Sequence, residues 1–136
     1  MNRKMLLLYQ LLTGLSDSLT GAMLMIAPAE ALLLMQVQAP AAGLVFVAYI
    51  GAFVFAVGLC CLYGALLILR GDPARQLATV WLLTALMRAS VAVFVTQRVL
   101  AGTLAAAWLP VAAFDGACVL IQALGLYKDW VAYAAQ

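Results

Sequence analysis

Gln76–Leu100 reads QLATVWLLTALMRASVAVFVTQRVL. As a helix this stretch is about 37 Å long at 1.5 Å per residue, against about 30 Å of bilayer hydrocarbon. One arginine, Arg88, stands in its middle. A guanidinium at that depth must meet an opposite charge or draw in water. Asp17 in the first apolar stretch and Asp115 in the last offer the opposite charge. The predicted fold is therefore all-α: a polytopic membrane protein, built as an up-down bundle of four transmembrane helices.

Composition agrees. The chain of 136 residues suits one domain, residues 1–136; 68% are hydrophobic and 9% charged, against roughly 45–50% and 25% in soluble proteins. With a mean hydropathy of +1.14, too few polar groups remain to cover a surface in water. A net charge of +2 without a basic patch sets nucleic-acid binding aside. The sequence has no histidine, the commonest metal ligand and the usual haem ligand, so neither a metal nor a cofactor is expected. Cys60, Cys61 and Cys118 lie within apolar stretches and read as small buried hydrophobes, with a redox role for Cys60 and Cys61 as the alternative.

Taken in order, Arg3 and Lys4 precede a first span of about residues 5–27. The pattern resembles a signal peptide ending at Ala27-Pro28-Ala29, but the apolar run is longer than a signal core, so an uncleaved span is expected. Gln10, Thr13, Ser16, Asp17 and Thr20 recur at helical spacing and form one polar stripe. Gly14 and Gly21 edge it, where small residues let a second helix approach. Pro28 and Pro40 bracket a segment containing Leu32–Met35, which predicts a short helix in the interface or folded back on the bundle. The second span, about 43–69, carries Gly51, Phe55, Gly58, Cys61 and Ala65 on one face, a close-packing seam. The Gly-Asp-Pro turn within Arg70–Arg75 is short and makes spans two and three antiparallel neighbours. Span three, about 76–100, places Trp81, Thr84, Arg88, Val91 and Val95 on one face. Span four, about 104–127, aligns Asp115, Cys118, Gln122 and Gly125.

Charge sets the orientation. With the N-terminus cytoplasmic, that side holds Arg3, Lys4, Arg70, Arg75 and Lys128, and the other side holds Arg98 alone. This positive-inside bias puts both termini in the cytoplasm and suits a bacterial inner membrane.

Depth links the three buried charges. From the cytoplasmic ends of spans one and three, Asp17 and Arg88 each lie roughly 18 Å in; from the outer end of span four, Asp115 lies roughly 12–16 Å in. Each charge at mid-membrane costs about 2.5–3.5 kcal/mol on insertion scales, so the three are expected to meet. Asp115 is the expected principal partner, since spans three and four share a short link, with two parallel bonds to one carboxylate within reach of the guanidinium. Two acids to one base leave an excess of one, so one aspartate, Asp17 first, is expected to hold a proton or touch water. Thr13, Ser16, Thr20, Thr84 and Gln122 are the expected supporting polar groups. Such a network either fixes helix register or serves binding and proton handling.

Three functions fit. There is no nucleophile–base pair, metal cluster or phosphate loop, and almost no mass outside the spans. A non-catalytic subunit or assembly partner of a larger membrane complex, or a homo-oligomer, is the first reading, in contact with lipid and sibling subunits. A proton-linked carrier or channel using Asp17, Arg88 and Asp115 is the second. The third comes from a resemblance. The polar first span, AYIGAFVFAVGL in the second, LMRASVAVF in the third and FDGACVLIQALGL in the fourth resemble the DoxX-like group of small four-helix membrane proteins. That resemblance implies a quinone- or lipid-associated oxidoreductase component, some members being linked to oxidation of sulfur compounds with quinone. The readings predict different surfaces: a small-residue face for a subunit, a water-reachable cavity at Arg88 for a carrier, and a lateral slot lined by Phe53, Phe55 or Phe94 for quinone.

Overall fold

A computed structural model describes residues 2–37, 39–71 and 74–135. Among the described residues there are five α-helices: α1 Arg3–Ile26, α2 Pro28–Leu34, α3 Leu44–Arg70, α4 Ala74–Leu100 and α5 Leu109–Tyr127. Single 3-10 turns lead into α3 (Ala41–Gly43) and α5 (Ala106–Trp108), and a longer 3-10 segment, Trp130–Ala135, follows α5. No strand occurs among the described residues.

Local chemistry explains the boundaries. The Asn2 side chain accepts from Met5 N–H at 3.0 Å, so α1 begins at Arg3 rather than Met5. It ends where Pro28 bars the preceding residue from helical geometry, and Ala27 leaves the helix at φ −137°, ψ 62°. The same proline opens α2 in the first turn, where its missing N–H costs nothing. Gly71 closes α3 in the left-handed conformation (φ 71°); Asp72 and Pro73 of the expected turn lie outside the described residues. The fourth span begins later than residue 104. Thr103 and Leu104 N–H groups both close back on the Arg98 carbonyl, and Gly102 is left-handed (φ 70°). Those residues form the turn, and helical structure resumes at Ala106.

Three stretches, Ala41–Arg70, Ala74–Leu100 and Ala106–Tyr127, are long and apolar enough to cross a membrane. α1 has 24 residues, but its polar stripe keeps it less apolar. The side-chain distribution is inverted relative to a soluble domain. Gln10, Thr13, Asp17, Thr84, Arg88, Asp115 and Gln122 are buried, while Leu8, Leu12, Leu15, Leu19, Phe46, Leu86 and Leu120 are exposed. Polar groups buried among apolar packing, beneath so many exposed large hydrophobics, are a membrane protein's arrangement.

The helices associate as two close pairs, α1 with α3 and α4 with α5. Glycines set the first pair. Gly58 packs on Gly14, and Gly51 on Gly21; a Cβ on either Gly58 or Gly51 would stand 2.9 Å from the opposite carbonyl oxygen. No larger residue permits that approach. The sequence makes α3 and α4 neighbours, and they touch, but less closely than either pair. An apolar groove of about 260 Å³ lies between them, lined by residues that include Leu59, Cys60, Tyr63 and Thr84. Helix α2 packs on α1 and α3 through buried Ala31 and Leu32.

The two pairs meet through side chains. Leu6, Ile68, Leu77, Trp81 and Val131 form a buried apolar cluster at the end that holds both termini. Val131 reaches it because Asp129 turns the chain at φ 50°, and because Gly125 leaves room for Trp81 and Trp130. At the same end Arg3 donates to the Ile68 carbonyl at 2.8 Å, a last-turn carbonyl of α3 that also accepts from Gly71 N–H at 3.2 Å, so a cation sits at the helix C-terminus.

Candidate functional site

Arg88 projects from the middle of α4 into the seam between the pairs. Its Nη1 donates to Asp115 Oδ1 on α5 at 2.6 Å. Its Nη2 donates to Asp17 Oδ2 on α1. Arg88 is 3% exposed, Asp17 7% and Asp115 9%. The Phe114 ring covers the guanidinium, its centroid 5.3 Å from Cζ, a placement that attracts a cation. The sequence has the three charges meeting, with Asp115 as principal partner and two parallel bonds to one carboxylate within reach of the guanidinium. In the structure the fork splits, one nitrogen to each acid, so that α1 and α5 are both tied to α4. Arg88–Asp115 lies within one pair, and Arg88–Asp17 ties that pair to the other.

The supporting residues divide. Thr84 accepts from Gln122 Nε2 at 2.7 Å and donates to the Val80 carbonyl at 2.8 Å. Thr13 is buried, with its hydroxyl on the Tyr9 carbonyl of its own helix at 2.8 Å. Ser16 and Thr20 are exposed and do not join the network. They continue a stripe with Tyr9 and Thr13 that runs beside the Gln10–Asp17 line. Tyr9 is covered, donating to the Cys118 carbonyl of α5 at 3.4 Å. Higher up no such cover exists, since α1 and α5 share no extended close approach. Val91, expected inward, is likewise 42% exposed, whereas Val95 is buried.

No protein-family model, no curated protein and no solved structure matches this chain. Its site therefore stands on its own geometry.

That geometry is one of connection. Gln10 Nε2 donates to the Cys61 carbonyl of α3 at 3.2 Å, so α3 is drawn to the same seam. Tyr9 packs on Trp81 with ring centroids 5.4 Å apart, joining α1 to α4. Tyr9 and Phe114 are the site neighbours that the sequence reading does not single out. Each had a signal: Tyr9 begins the Thr13–Ser16–Thr20 stripe, and Phe114 precedes Asp115. Among the described residues no three His, Cys, Asp or Glu side chains converge as metal ligands. The groove between α3 and α4 is lined by Tyr63 and Cys60, not by Phe53, Phe55 or Phe94.

Proposed function

We propose that this chain is a non-catalytic subunit of a larger membrane assembly, in which the Asp17–Arg88–Asp115 triad locks its two helix pairs together. In this reading α1 is a fourth span, carried through the bilayer by partners for its polar face. α2 lies at the outer interface. Both termini are cytoplasmic, with five basic residues there against one outside, in a bacterial inner membrane.

Gly116 carries the proposal. Gly14, Gly21, Gly51, Gly58, Gly64 and Gly125 each face a neighbouring helix or side chain that leaves no room for a Cβ. Gly116, in the middle of α5, meets nothing. A helical glycine costs about 0.5–1 kcal/mol relative to alanine, and no close contact among the described residues repays that. Ala113 and Ala117 beside it are exposed, which leaves a small-residue strip where another helix can seat. Copurification from native membranes in mild detergent tests the reading. Wild type brings down a stoichiometric membrane partner or a second copy, and Gly116→Leu loses it while keeping its melting temperature. A chain that purifies alone, or a partner that survives Gly116→Leu, ends the reading.

A further inference from the structure

Two helical turns from the ion triad, towards the termini, lies a second polar level. Gln10 stands seven residues before Asp17, Trp81 seven before Arg88, and Gln122 seven after Asp115. Because α1 and α4 run one way and α5 the other, all three are displaced about 10 Å in the same direction. None of the three has any exposed surface.

Each of the three keeps a polar atom unused. Gln10 gives its amide nitrogen to Cys61 of α3, which turns its oxygen away from α3. Gln122 gives its nitrogen to Thr84 of α4, which turns its oxygen away from α4. The Trp81 indole packs on Tyr9 of α1 and over Gly125 of α5. Gln10 Oε1, Gln122 Oε1 and Trp81 Nε1 have no hydrogen-bond partner within the protein. Buried polar groups left so are costly and rare.

We propose that this level is an internal water-binding site, independent of any partner subunit. One water accepts from Trp81 Nε1–H and donates one O–H to each glutamine oxygen. The atom set selects that ligand. A cation would be repelled by the indole N–H, and an anion by the two amide oxygens. An alcohol brings one O–H to two acceptors. Water has two donors and an accepting lone pair, matching the usual count of about three bonds for a buried water. Leu6, Ile68, Leu77 and Val131 close the level off towards the termini, so the water exchanges slowly.

X-ray hydroxyl-radical footprinting of the whole protein in lipid nanodiscs tests this, because radicals formed from a bound water oxidise the side chains touching it. In wild type, Trp81 is labelled several-fold above Leu6 and Ile68, each normalised to the reactivity of its free amino acid. Gln10→Met and Gln122→Met, singly or together, lower Trp81 labelling several-fold. Labelling of Trp81 no greater than that of the two equally buried aliphatic residues overturns the site, and this arm needs no variant. Undiminished labelling in folded glutamine variants overturns it as well.

Discussion

Arg88 has five N–H donors, and two of them hold helices that have no other charged tie to α4. Removing the cation leaves two acids buried together without compensation. Breaking a buried ion pair from one side costs about 3–5 kcal/mol, whereas replacing all its members by neutral groups is often close to neutral. Arg88→Leu is expected to lower stability by that amount in denaturant titrations of the purified protein. Adding Asp17→Asn and Asp115→Asn to Arg88→Leu should recover most of the loss. A single variant as stable as wild type would show that the triad holds nothing together.

Helices pair here by where side chains are missing. At Gly21 a Cβ would run into the Phe55 backbone, which has no flexible atom to move aside. Gly21→Ala should therefore separate α1 from α3 and cost about 1–3 kcal/mol, the range for overpacking. Gly116→Ala, with open space around it, should leave stability unchanged or raise it by about 0.5–1 kcal/mol of helix propensity. Parallel thermal melts compare the two. These elements also mark what the sequence discloses. The glycines in each helix are visible at seven-residue spacing, and so is the polar stripe of α1. That Gly14 opposes Gly58 and Gly21 opposes Gly51 is not visible, because loop length favours the α3–α4 pairing and says nothing of how near two backbones can come. The triad is legible because charges are few and helical rise converts position into depth. Ser16, Thr20 and Val91 are misread because periodicity gives a side chain's direction, not whether a neighbour stands there. The folded-back Trp130–Ala135 segment is hidden for another reason: it depends on left-handed Asp129 and on the space above Gly125.

At the scale of the whole molecule, the proposed four spans and cytoplasmic N-terminus make a definite prediction. Alkaline phosphatase, which is active only outside the cytoplasm, should be inactive when fused after Gln136 and active when fused after Val37 or Gly102. Green fluorescent protein at the same points should show the reverse. Any other pattern removes α1 from the count of spans or inverts the molecule.

The Asp17–Arg88 bond joins residues 71 positions apart, and that separation has a consequence during synthesis. When the first helix leaves the ribosome, its acid has no counter-charge, and the base that will answer it has not yet been translated. The first helix is also the one whose sequence least favours oil. If α1 is the fourth span proposed above, its entry into the bilayer waits for the third long helix to emerge. Arrested nascent chains cut before Arg88 should leave a cysteine placed in the first segment open to a membrane-impermeant maleimide, and chains that extend past it should not.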